Sequence, residues 1–151
     1  MIQQIEFSMQ NVFQLYNIEK ECFGKEAWTV NNLIAEFHND YSYFLGEVVD
    51  DTIVGYACVR VMYEEAQVCN IAVLPEYRRQ GIGTRLLQSI AELATANSCE
   101  RCELEVNTAN TATVKLYEKC GYEIVGTRRN YYRRTKRYPT RDAYTMVMKL
   151  S

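Results

Sequence analysis

The sequence predicts one α/β domain: a mixed sheet of about seven strands flanked by about four helices. Three observations predict it. Short apolar or alternating stretches, which suit strands, interleave with segments whose apolar residues recur every three to four positions, which suits helices. Their order is strand, two helices, three strands, helix, strand, helix, two strands. That order calls for antiparallel hairpins where strands follow directly and parallel pairing where a helix intervenes. The third is the segment 71–84, IAVLPEYRRQGIGT, an apolar strand, a proline turn, two arginines and a Gly-Ile-Gly opening a helix.

From the N-terminus, a strand is expected at 2–8 and helices at 11–22 and 29–38, with Asn11 and Thr29 as N-caps. Strands follow at 42–49, 53–62 and 66–74, the first two joined by a hairpin turn at Asp50-Asp51. The clearest helix covers 81–96, where Ile82, Leu86, Ile90 and Leu93 recur on one face. A strand at 101–106 leads to a helix at 111–120, capped by Asn110 and stopped by Gly121. Strands at 122–128 and 143–149 complete the set. No repeat, low-complexity stretch or linker interrupts it, so residues 1–151 read as a single domain.

With 151 residues and 48% hydrophobic content, the chain can bury a sizeable core. No apolar run reaches the ~18–20 residues that cross a bilayer. The start, MIQQIEFSMQ, has neither the basic flank nor the apolar stretch of a signal peptide. A cytoplasmic protein without a membrane partner is the expectation. Of the six cysteines, Cys58, Cys69 and Cys102 fall in strand-like stretches, which fits thiols serving as small buried hydrophobes. Cys99 and Cys102 make a C-x-x-C, but no second pair follows and His38 is the only histidine. No metal site is expected from that set.

The net charge of −2 hides an asymmetry. Seven basic residues and no acidic ones lie between Arg128 and Arg141, leaving ten basic against nineteen acidic residues elsewhere. Arginines and tyrosines interleave there, a pattern that can hold phosphates and stack on bases. The same segment also suits a solvated loop, steering of an acidic acceptor, or binding of a ligand phosphate.

Chemistry concentrates in 71–84. Main-chain N–H groups in such a turn and at a helix start lack intrahelical partners, and the helix dipole adds positive potential. Gly81 and Gly83 have no Cβ to keep phosphates from the backbone. A pyrophosphate held by main chain fits this segment. No lysine follows the glycines as it does in a Walker loop, so a plain nucleotide-binding site fits less well.

The run Arg78-Arg79-Gln80-Gly81-Ile82-Gly83 resembles the acyl-CoA signature of the GCN5-related N-acetyltransferases, Arg/Gln-x-x-Gly-x-Gly/Ala. Its surroundings extend the likeness: IAVLPEYR precedes it and LEVNTANTATVKLYEKCGYEIVGTRRNYY follows at the family's spacing. The element order matches across the chain. Within the family it looks most like the RimI-type enzymes that acetylate the N-terminal alanine of a small-subunit ribosomal protein. The stretch 104–118 and RRNYY at 128–132 carry that closer likeness.

The resemblance implies acetyl-CoA as co-substrate, with the backbone of Ile71, Ala72 and Val73 pairing with the pantetheine arm as with an added strand. A bulge in that strand would splay it and free an N–H for the thioester carbonyl. It implies that Arg79, Gln80, Gly81, Ile82, Gly83 and Thr84 hold the pyrophosphate and that Asn110 contacts pantetheine. Glu105 matches the family's general base, and Tyr117 the tyrosine that protonates the departing sulfur. By strand alternation Glu103 and Glu105 share a face, and Tyr117 lies two helical turns from Asn110. Trp28 stands where RimI-like chains carry Pro-Trp-Ser, here Ala27-Trp28-Thr29, and suits a core anchor or a wall of the acceptor groove.

The acceptor expected first is a protein N-terminus, with RNA or ribosome contact through 128–141. A lysine or small-molecule amine remains an alternative acceptor, since one fold hosts many. A non-catalytic acyl-CoA sensor or RNA-associated module is the alternative from another class, and the pairing of Glu105 with Tyr117 speaks against it.

Overall fold

Ser8, not Asn11, starts the first helix. Its Oγ accepts the Asn11 N–H at 3.0 Å, so strand β1 is confined to Ile2–Gln4 and helix α1 begins two residues before the expected boundary, at Met9–Phe23. Thr29 caps α2 (Val30–Phe37) in a reciprocal capping box with Asn32, as its spacing predicts. The computed structural model describes residues 1–133 and 138–150.

Three antiparallel strands follow: β2 (Ser42–Val49), β3 (Thr52–Met62) and β4 (Glu65–Val73). Asp50 and Asp51 both have positive φ, 49° and 64°, which gives the β2–β3 hairpin the twist of a type I′ turn. Helix α3 (Ile82–Ala96), strand β5 (Arg101–Asn107), helix α4 (Thr111–Lys119) and the hairpin β6 (Glu123–Arg128) and β7 (Ala143–Lys149) complete the chain. The sheet has seven strands in the order β1-β2-β3-β4-β5-β7-β6, with β4–β5 its parallel pair.

Strand β3 is buried from Ile53 to Val59 because helices cover both its faces. The Tyr56 hydroxyl reaches Glu19 of α1, while a side chain on neighbouring Gly55 would meet Ile82 of α3 at 3.1 Å. Adjacent strand residues point to opposite faces, so α1 and α3 lie on opposite sides of the sheet.

Two irregularities shape the centre. Cys58 opposes Asn70 and Val59 opposes Val68, which leaves Cys69 as the extra residue of a β-bulge in β4. Strands β4 and β5 pair only at Glu65–Arg101, Ala66–Cys102 and Gln67–Glu103. Beyond those three pairs they part, and the C-terminal half of β4 presents an open edge.

Candidate active site

The open edge of β4 can be read group by group. Leu74 donates its N–H to Val54 O at 2.9 Å, so ladder alternation turns the N–H groups of Leu74 and Ala72 toward β3. Those of Ile71 and Val73 face the gap between β4 and β5. The bulge and splay expected for this strand are both present. Of the three residues Ile71, Ala72 and Val73, the first and third offer main-chain groups to the gap.

Neither group stands bare. Asn70 Oδ1 accepts the Ile71 N–H at 3.0 Å, and Arg78 Nε donates to the Val73 carbonyl at 3.0 Å. The Cys22 thiol also donates to that carbonyl, at 3.3 Å. Asn70 is itself held from α1: its Nδ2 donates to Glu19 Oε2 at 2.7 Å and to the Tyr56 hydroxyl at 3.1 Å. Glu19 is fully buried and also accepts the Trp28 N–H at 2.8 Å. Burial raises its carboxyl above the usual range, and these three donors pull against that rise. Trp28 packs against the core at half burial.

The turn after β4 leads straight to the start of α3. Gly81, the N-cap, sits in the left-handed region at φ 79°, and no side chain caps the helix. Arg79 also has positive φ, 64°. Arg85 Nη1 donates to the Gln80 carbonyl at 3.1 Å, which steadies the turn from inside the helix. Arg79, Gln80 and Gly81, which are exposed, and Gly83 and Thr84, which are half-buried, therefore surround an uncapped helix N-terminus. The Ile82 side chain is core, 3% exposed, so only its backbone faces this site. Thr84 lines the groove between α3 and α4 with Leu87, Gln88 and Cys120.

Asn110 caps α4, its Oδ1 accepting the Thr113 N–H at 3.4 Å. Tyr117, two turns on, is buried beside Tyr122, with ring centroids 5.9 Å apart. Burial pushes its phenol above its ordinary value, with lesser contributions from Cys120 and Tyr138.

Glu105 lies two residues past Glu103, the last β5 residue paired with β4, and its side chain is 7% exposed. Thr145, directly opposite on β7, donates its hydroxyl to Glu105 Oε2 at 2.6 Å. Arg128 Nε lies 3.9 Å from the same oxygen. Glu103 shares the face, two residues back. Burial and the carboxylates of Glu65 and Glu105 raise its carboxyl, and Arg128 lowers it.

Tyr132, from the β6–β7 connection, is raised by burial and then by Tyr131, Glu105 and Tyr117. Both acid–base candidates contribute to its electrostatic surroundings.

Sequence reading did not single out Asn70, Arg128, Thr145 and Tyr132 as parts of this site. Asn70 could have been found as a polar residue interrupting an apolar strand. Thr145 carried no local signal, because its role comes from strand pairing. Arg128 and Arg141, read as part of a basic segment, have partners inside the protein: Glu105 for the first, the Tyr132 carbonyl at 3.0 Å for the second. Arg134, Lys136 and Arg137 of that segment lie outside the described residues. Among the described residues no helix is long and apolar enough to cross a membrane.

Residues 12–122 match the model of the acetyltransferase (GNAT) family. The N-alpha-acetyltransferase RimI of Mycobacterium tuberculosis is 34% identical over 134 residues, 85% of this chain and 80% of its own. The crystal structure of the ribosomal-protein-S18-alanine N-acetyltransferase from Escherichia coli aligns with a TM-score of 0.87 at 26% identity, covering 100% of this chain and 95% of that one. A GNAT family acetyltransferase from Elizabethkingia anophelis, solved with acetyl-CoA bound, shares the fold at TM-score 0.78 and 18% identity, over 99% and 97% of the two chains.

Proposed function

The chain belongs to the acetyltransferase (GNAT) family, and we propose that it transfers the acetyl group of acetyl-CoA to the α-amine of a protein N-terminus. The N-terminal alanine of a small-subunit ribosomal protein is the acceptor proposed first, supported by the likeness to the Escherichia coli enzyme. The single observation that carries the reading is the position of Glu105. It is a nearly buried carboxylate on β5 where β4 and β5 part, hydrogen-bonded by Thr145.

Transfer requires an uncharged amine, a polarised thioester and a proton for the leaving thiolate. In this reading the pyrophosphate rests on the uncapped start of α3 at Arg79–Thr84. The pantetheine arm enters the gap and pairs with the edge of β4, displacing Arg78 from the Val73 carbonyl. Asn110, at the head of α4, contacts the same arm. A gap-facing N–H of Ile71 or Val73 polarises the thioester carbonyl and stabilises the oxyanion that forms on attack.

Glu105 takes the amine's proton. An α-amine has a pKa near ~8 against ~10.4 for lysine, so at neutral pH it presents more of its reactive form. Tyr117 returns a proton to sulfur. At neutral pH its phenol is protonated, the form a donor to sulfur needs. Arg128 and Tyr132 border Glu105 on the side of the β6–β7 connection, where the acceptor chain would enter.

The test is intact-mass detection of acetyl transfer to paired peptides. One starts with a free alanine followed by arginine and aromatic residues; the other has a blocked N-terminus and an internal lysine. Acetylation of the first alone, lost in Glu105→Gln, is the expected result. Modification of the lysine peptide instead would move the acceptor to side chains, and no transfer despite bound acetyl-CoA would leave a different acceptor or a sensor.

A further inference from the structure

The β4 bulge does more than open the edge of the strand. In a bulge two residues oppose one on the partner strand, and here Cys69 and Asn70 together face Cys58. Asn70 reaches Glu19 on the α1–α2 side of the sheet, and Cys69 reaches the same side beside Glu36 of α2. The sulfurs of Cys58 and Cys69 and a Glu36 carboxylate oxygen lie within 4.8 Å of one another. Neither thiol takes part in the proposed acetyl transfer.

Two thiols and a carboxylate could suggest a metal site, but the carboxylate is already committed. Arg60 donates to both Glu36 oxygens, at 2.7 and 2.8 Å, and Ser42 donates to one of them as well. The Arg60 guanidinium on the Glu36 carboxylate opposes a cation and, by its charge, favours a thiolate at Cys69. The two sulfurs differ in exposure and in their electrostatic surroundings. Cys58 is fully buried, and the hydrogen bond to Cys69 together with burial pushes its thiol up. Cys69 is partly buried; its thiol is lowered by Cys58 first and by the Arg60 charge, against burial and the Glu36 carboxylate, which raise it. Cys69 is the more accessible of the two and Cys58 the buried one.

We propose that Cys58 and Cys69 form a reversible disulfide across the β4 bulge, a redox-sensitive modification site whose oxidation weakens acetyl-CoA binding. The link between oxidation and acetyl-CoA rests on the function proposed above; the disulfide itself does not.

The co-reactant is a small-molecule disulfide. The Cys69 thiolate attacks one of its sulfurs, forming a mixed disulfide and releasing one small thiolate, which takes a proton. Cys58 then loses its proton, attacks the Cys69 sulfur and expels the second small thiol. The two protein thiols give up two electrons and two protons, and the small disulfide gains them. Closure brings the sulfurs to about 2.05 Å. Cys58 is locked in the core, so the bulge moves, and Cys69 is continuous with Asn70 and Ile71 at the open edge.

The full-length protein, incubated with oxidised glutathione and then freed of it, should lose about 2 Da, with a Cys58–Cys69 crosslink in its peptide map. Acetyl-CoA should then bind about tenfold more weakly, and dithiothreitol should restore both mass and affinity. Cys69→Ser and Cys58→Ala, as separate variants, should keep the affinity of the reduced protein and lose the response to oxidant. A stable glutathione adduct on Cys69 without the crosslink, or a crosslink between other cysteines such as Cys99 and Cys102, overturns the proposal. A crosslinked protein that binds acetyl-CoA unchanged overturns the coupling. Failure of the reduced protein to bind acetyl-CoA would instead strike the proposed function and leave the crosslink standing.

Discussion

Thr145 and Glu105 face each other across the β5–β7 ladder, and the threonine hydroxyl donates to the carboxylate at 2.6 Å. The bond fixes the rotamer of the proposed base from a neighbouring strand. Replacing Thr145 by Val keeps the shape and removes the donor. Turnover should fall about threefold to tenfold while the acetyl-CoA KM stays within about twofold, because the bond touches only the proton-transfer step. Glu105→Gln should fall further, by about 10²–10⁴ in kcat.

Tyr117→Phe removes the proposed acid and leaves the ring beside Tyr122. We expect kcat to drop by about one to two orders of magnitude with little change in Tm or acetyl-CoA affinity. Because burial raises the phenol, the wild-type rate should show no alkaline decline attributable to Tyr117 below about pH 10. Steady-state kinetics across pH, run on both proteins, checks this.

The two glycines should separate fold from binding. Gly81 sits at φ 79°, so Gly81→Val strains the turn by about 1 kcal/mol or more and should weaken acetyl-CoA and lower Tm together. A Cβ on Gly83 meets only Leu116 Cδ2, at 3.4 Å. Gly83→Ala should keep Tm and still weaken acetyl-CoA several-fold by crowding the phosphates. Calorimetry and equilibrium binding on the two variants distinguish these effects.

Glu36 should govern part of the acid limb of stability. The Arg60 hydrogen bonds hold its carboxyl below the ordinary 4.5, outweighing burial. A carboxyl lowered in the folded state contributes stability above about pH 4.5 and loses it as pH falls through the folded value. Glu36→Gln should cost about 1–2 kcal/mol at pH 7, less than a buried pair because Arg60 is 39% exposed, and less still at pH 3. Denaturant unfolding at the two pH values measures the difference.

Tyr56→Phe should destabilise the protein by about 1–3 kcal/mol, since it removes one of the donors to the fully buried Glu19. Part of the loss should reach function, because Glu19 also holds Asn70 beside the Ile71 N–H. A thermal melt paired with an acetyl-CoA titration reads both.

Local chemistry alone determined much of this protein. The periodicity of Ile82, Leu86 and Ile90, the caps at Thr29 and Asn110, the Asp50-Asp51 turn and the glycine turn before α3 all act within a few residues, so they can be read in order along the chain. The shared face of Glu103 and Glu105 follows from strand alternation alone. The misplaced first boundary was also local: Ser8 and Asn11 are both good caps, and the hydrogen bond from the Asn11 N–H decides for Ser8. What only the tertiary structure decided depends on which strands become neighbours. The separation of β4 from β5, Thr145 opposite Glu105, Arg128 beside that carboxylate and Cys58 opposite the Cys69 bulge join residues far apart in sequence. Strand pairing and register set them, and a residue's own neighbours in the chain hold no record of its partner across the sheet.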